Sequence, residues 1–134
     1  MKSIQTQQDY DRWLDQLVSD LRIRWKAKMN RDMPFGPSYK LPNLVMKVVC
    51  ERLAVSDRQR IMPFLHVPLD SYTLSGIRKC VALPNGREIP KTATMKFIDN
   101  PATYASVQQQ IRGLASRAGV PAIAYDHLAW DRGH

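Results

Sequence analysis

Lysine amines, an imidazole and a carboxylate fall within one stretch of this 134-residue chain: Lys40 and Lys47, then His66 and Asp70. They sit in Phe35-Gly36-Pro37-Ser38-Tyr39-Lys40-Leu41-Pro42-Asn43-Leu44-Val45-Met46-Lys47 and in Leu65-His66-Val67-Pro68-Leu69-Asp70-Ser71-Tyr72. A lysine amine becomes nucleophilic near neutral pH where burial or neighbouring cations lower its pKa. A carboxylate facing it stabilises a cationic transition state, as at a sugar carbon, or shuttles protons. Lys40 as nucleophile with Asp70 as its partner is the chemistry these residue types suggest. It requires a pocket, for which Tyr39, Asn43, His66 and Tyr72 are the candidates, either tyrosine offering a ring for stacking. The same residues also have a plain structural use. Lysines snorkel over an apolar helix, and an aspartate at a helix start is favoured by the helix dipole alone.

The elements that must position these groups are mostly helical. Thr6 with Asp9 three residues on has the capping-box pattern. Tyr10, Trp13, Leu14, Leu17, Val18, Leu21 and Trp25 then recur at helical spacing, predicting a helix over about 7–28. Asn30 to Ser38 is a connector, because two prolines flank a glycine there. A second helix is expected from near Ser38 or Lys40 to Leu53, with Pro42 in its first turn and an apolar stripe of Leu41, Leu44, Val45, Val48, Val49 and Leu53. Ser56 caps a short third helix that Pro63 ends. Phe64 to Val67 reads as extended, and Pro68 opens a helix with Asp70 in its first turn.

Val81-Ala82-Leu83 and Arg87-Glu88-Ile89 flank Pro84-Asn85-Gly86, the pattern of a hairpin that Thr94 to Ile98 would extend. Asn100-Pro101 starts a long helix that stops at Gly119, and a last helix runs from Pro121 to Trp130. The expected fold is therefore mainly α: a single domain over residues 1–134, with five or six helices and a small β-hairpin at about 81–98.

Charge points to a partner. The chain has 20 Lys+Arg against 12 Asp+Glu, a net charge of +8. Arg22, Arg24, Lys26, Lys28, Arg31 and Lys40 face only Asp32 between residues 22 and 40, a local balance of +5. Lys47 adds a further cation on the second helix. Lysine and arginine release condensed counterions from a nucleic acid, so nucleic acid is the expected partner, with an acidic protein or anionic lipid as the alternatives. No apolar run reaches the ~18–20 residues of a membrane span, nor is there a signal-peptide pattern at the start. With 2 cysteines, Cys50 and Cys80, each closing an apolar helical pattern, buried free thiols in a cytoplasmic protein are expected. The scattered histidines and absence of a CxxC motif predict no metal, and no cofactor motif occurs. Gly-x-Ser-x-Gly, Walker and His-Glu-x-x-His patterns are all missing.

The pattern Lys40-(x6)-Lys47 followed by Val67-Pro68-Leu69-Asp70 resembles the lysine and aspartate segment of helix-hairpin-helix DNA glycosylases. The likeness is nearest to the archaeal 8-oxoguanine glycosylase branch and covers about residues 35–75. It implies a lysine that attacks the sugar C1′ to form a Schiff base and an aspartate that assists base departure. By that resemblance Lys40 is the nucleophile, Asp70 the carboxylate and Lys47 the competing lysine. The Phe-Gly-x-x-x-Lys-x-x-Asn-Leu helix and the Pro-x-Asp segment are also similar to small bacterial proteins of unassigned function. Three functions are thus in view: a basic DNA-binding domain, a glycosylase or lyase, and a non-catalytic protein-interaction module.

Overall fold

The computed structural model describes residues 3–133. Among them the chain forms six α-helices, three single 3₁₀ turns and no strand. Helix α1 spans Gln7–Met29 and α2 Phe35–Arg52, followed by α3 at Val55–Ile61 and α4 at Ser71–Ile77. The long helix α5 covers Pro101–Arg117, and α6 runs over Ile123–Gly133. No helix among the described residues is long and apolar enough to cross a membrane.

Helix α1 starts as its sequence dictates. The Thr6 side chain accepts from the Asp9 amide while the Asp9 carboxylate accepts from the Thr6 amide. Tyr10, Leu14 and Val18 bury their side chains, but the apolar face does not continue inward. Beyond Val18 the face is only partly covered, at Leu21 and Trp25, and Ile23 and Met29, outside the expected face, are 66% and 47% exposed. Asn30 ends it in the left-handed conformation, at φ 54°.

Helix α2 begins earlier than expected, at Phe35, so that Pro42 lies in its interior rather than its first turn. It is also turned with its polar side inward. Ser38, Asn43 and Cys50 are buried, whereas Leu41, Val45, Val48 and Val49 are 42–52% exposed. The physical reason is pairing across the fold: Asn43 Nδ2 donates to the Tyr104 hydroxyl of α5, and Lys47 Nζ meets the fully buried Asp126 carboxylate of α6 at 2.6 Å. At its start, Gly36 passes so close to the 3₁₀ turn at Met95–Phe97 that an added Cβ would lie 2.0 Å from the Met95 carbonyl oxygen. Only glycine permits that approach.

The expected β-hairpin at 81–98 does not form. That segment holds 3₁₀ turns at Pro84–Gly86 and Met95–Phe97 instead. Its backbone finds a side chain where a strand would have been. Gln110 of α5 accepts from the Ala82 amide at 2.8 Å and donates to the Ala82 carbonyl at 2.6 Å. Leu83, Ile89, Ala93 and Ile98 anchor the loop in the core. The extended segment 65–70 uses the same device two residues earlier on α5, where Gln108 pairs with both the N–H and the C=O of Val67.

Asp70 is the N-cap of α4 rather than a member of its first turn, so the helix opens at Ser71 instead of Pro68. Helix α3 opens at Val55, and Ser56 lies within it instead of capping it. Both cysteines are free, but only Cys50 is buried; Cys80 is exposed. Two apolar clusters result. One gathers Val67, Leu74, Ile98, Val107 and Ile111 beneath α5, and the other holds Tyr10, Leu14, Val18, Cys50 and Leu65 under α1. Tyr39 packs against both.

These two glutamines make a paired prediction. Gln108→Met strands both backbone groups of a fully buried residue and should cost at least about 2 kcal/mol, whereas Gln110→Met, beside the exposed Ala82, should cost less than about 1 kcal/mol. Urea unfolding of the two variants checks this, and equal losses would contradict it.

Candidate nucleic-acid interface

Two clefts meet at Tyr39. The smaller, about 350 Å³, is lined by Asp11 and Asp15 of α1, Tyr39 of α2, His66, and Tyr104 and Arg112 of α5. The wider, about 670 Å³, shares Asp15, Tyr39 and Pro101 with it. It extends along α1 past Arg22, Ile23 and Lys26, facing Phe35 and Tyr39.

The smaller cleft is built on a chain of hydrogen bonds. Tyr104 Oη lies 2.7 Å from His66 Nδ1, and His66 Nε2 lies 2.6 Å from Asp11 Oδ1. Asn43 Nδ2 donates to Tyr104 at 2.9 Å. Burial pushes the Tyr104 phenol well above its ordinary value, so it keeps its proton. With Asn43 already donating to that oxygen, the phenol proton goes to His66 Nδ1, which assigns the imidazole proton to Nε2 and directs it at Asp11. Partial burial raises the Asp11 carboxyl, but hydrogen bonds from His66 and Gln7 outweigh it and hold the group below the usual carboxylate range.

The wider cleft combines cations with an aromatic shelf. Ring centroids of Phe35 and Tyr39 are 5.1 Å apart, and those of Tyr39 and Tyr104 are 4.2 Å apart. Burial and then the hydrogen bond to Asp15 push the Tyr39 phenol up, keeping it a donor to that carboxylate at 2.7 Å. Both acids of the cleft are engaged, since Asp32 pairs with Lys26 at 3.1 Å. Arg22 has no such carboxylate among the described ion pairs.

The structure gathers only some of the residues singled out in the sequence. Tyr39, Asn43 and His66 meet through Tyr104, whereas Tyr72 stacks on Trp130 with centroids 4.9 Å apart. Arg22, Arg24, Lys26, Lys28 and Arg31 are all exposed on or just after the C-terminal half of α1. Lys47 is not among the surface cations, since its side chain is 18% exposed and paired with Asp126. Lys40 is half-buried on α2 and lines neither cleft. Asp70 is 5% exposed, and its Oδ1 accepts from the Tyr72 and Thr73 amides. Sequence reasoning missed Asp11, Asp15, Tyr104 and Arg112. The one available signal was the four-residue spacing of Asp11 and Asp15, which places both acids on the same side of α1. Among the described residues no group of His, Cys, Asp and Glu is arranged to hold a metal ion.

No family model, curated protein or solved structure matches the chain.

The Asp11 carboxyl makes the network sensitive to acid. Its folded pKa lies below the unfolded value of about 3.9, so its stabilisation is complete above that value and disappears as pH falls through the folded one. Urea midpoints of wild type and Asp11→Asn should therefore differ near neutrality and converge in strong acid. A gap that persists unchanged into strong acid would contradict this assignment.

Proposed function

We propose that this protein is a small basic domain that binds nucleic acid, with DNA as its first expected ligand, and that it acts by binding rather than catalysis. The observation that carries the reading is the wide cleft. Arg22 and Lys26 stand one helical turn apart on α1, opposite Phe35 and Tyr39 on α2. Cations on such a rim neutralise phosphates and release counterions, while a planar ring accepts the face of any base. Arg24, Lys28 and Arg31, all exposed, add positive charge around the end of α1. The net charge of +8 adds a long-range attraction for the same class of partner. Of the two acids in the cleft, Asp32 is paired with Lys26 and Asp15 accepts from the Tyr39 phenol.

The glycosylase alternative asks more of Asp70 than its surroundings favour. Its Oδ1 is occupied by two amides that hold the start of α4, a use that needs no substrate. Binding therefore has the better support.

The test is fluorescence anisotropy of labelled oligonucleotides across a salt series, with Arg22→Gln/Lys26→Gln beside wild type. Wild-type affinity should fall steeply with salt, and the double variant should bind more weakly with a slope flatter by about one for each phosphate contact removed. Absence of binding at low salt, or a double variant indistinguishable from wild type, would overturn the reading.

A further inference from the structure

We infer that the smaller cleft is a base subsite, which takes an amine-bearing base of a single strand (adenine, cytosine or guanine) and refuses thymine and uracil. The inference rests on the nucleic-acid reading above and adds a selectivity to it. Asp11, Asp15, Arg22 and Lys26 follow one another on α1 at intervals of four, seven and four residues, which keeps them within about 60° of one helix face. The two acids line the smaller cleft, and Asp15, Arg22 and Lys26 line the wider one. A ligand lying along this face therefore meets carboxylates at one end and cations at the other. Seven residues, about 10 Å of helix, separate Asp15 from Arg22. A nucleotide has the matching polarity, with hydrogen-bond donors on its base and negative charge on its phosphate. Phosphate itself is disfavoured in the smaller cleft, where Arg112 is the one cation among the lining residues against two acids.

The groups left open in the smaller cleft say which bases fit. His66, Tyr104 and Gln108 are buried there and hydrogen-bonded within the protein. Asp11 Oδ1 accepts from Gln7 and His66, and Asp15 Oδ1 accepts from Tyr39. Oδ2 of each aspartate has no hydrogen bond among the described residues. Arg112 of α5, half-buried, likewise makes no hydrogen bond or ion pair among them. The cleft thus offers two open acceptors from α1 and a guanidinium from α5. Adenine, cytosine and guanine each carry an exocyclic amine next to a ring nitrogen that accepts. The amine donates to a carboxylate while Arg112 donates to the ring nitrogen. Thymine and uracil have no amine, and their ring N–H lies between two carbonyls. Presenting that N–H to one carboxylate brings a carbonyl oxygen against the other. Base edges are open to such contacts where the base is unstacked, which makes a single strand the ligand. At about 350 Å³ the cleft falls within the size range of small-molecule sites.

Single-stranded dC and dT oligonucleotides of equal length carry equal numbers of phosphates, so comparing them by fluorescence anisotropy at low salt isolates the base. Wild type should bind the dC strand about tenfold more tightly, and the ratio should persist as salt rises although both affinities fall. Asp15→Ala, at an exposed position, should weaken dC binding and strengthen dT binding. Arg112→Gln should lower the affinity for dC more than that for dT, so both variants bring the ratio toward one. Equal binding of the two strands by wild type, a preference for dT, or a ratio that neither variant moves would overturn the inference and leave the nucleic-acid reading intact. Binding of neither strand at low salt would instead overturn that reading, and the subsite with it.

Discussion

Tyr104 is a buried phenol that keeps its proton, and the groups around it are arranged to satisfy that proton and its oxygen. Asn43 reaches it from α2, His66 from the extended segment after α3, and Asp11 of α1 is joined to it through the imidazole. Three parts of the chain are thereby tied to one hydroxyl on α5. Unpaired polar groups at that depth would each cost on the order of 1–3 kcal/mol, so the arrangement constrains where α1 and α2 sit. Asn43 Oδ1 and the Tyr10 hydroxyl, both buried, have no hydrogen-bond partner within the protein. The network is therefore strongly directional but not complete.

The orientation of α2 follows from that constraint. With Asn43 drawn toward Tyr104 and Lys47 drawn toward Asp126, the polar side of the helix turns inward. Its valines are left on the outside. The same placement brings Tyr39 under Tyr104 and against Asp15, building the aromatic shelf beside Arg22 and Lys26. The Tyr104 hydroxyl and the buried Asp126 carboxylate together thus fix how α2 is turned. Glutamine side chains apply the same logic elsewhere, satisfying Val67 and Ala82 where a sheet would otherwise be needed.

Local signals were legible and long-range pairing was not. The Thr6–Asp9 box, the Asn100 cap with Pro101 behind it, and Gly119 at positive φ after α5 are written in adjacent residues, and they put the helix ends close to where they occur. The apolar periodicity of α1 places the helix where it occurs, though its face is fully buried only at Tyr10, Leu14 and Val18 and partly covered at Leu21 and Trp25. Residues 81–98 carry honest turn chemistry, yet the partner of Ala82 is a side chain 28 positions away. The inward face of α2 depends on residues 61 and 79 positions distant. Of the site, the basic run and Tyr39, Asn43 and His66 could be picked out by type. Asp11 and Tyr104 could not, since as single residues they look like a wet helix acid and a core aromatic.

The Tyr104 proton, directed at His66 Nδ1, sets the imidazole. Nitrogen-15 NMR of the histidine side chains at neutral pH measures this directly. His66 should hold one tautomer, protonated at Nε2 with an acceptor-like Nδ1, and Tyr104→Phe should release it into exchange between forms. A proton on Nδ1 in the wild-type protein, or a His66 signal that Tyr104→Phe leaves unmoved, would contradict it.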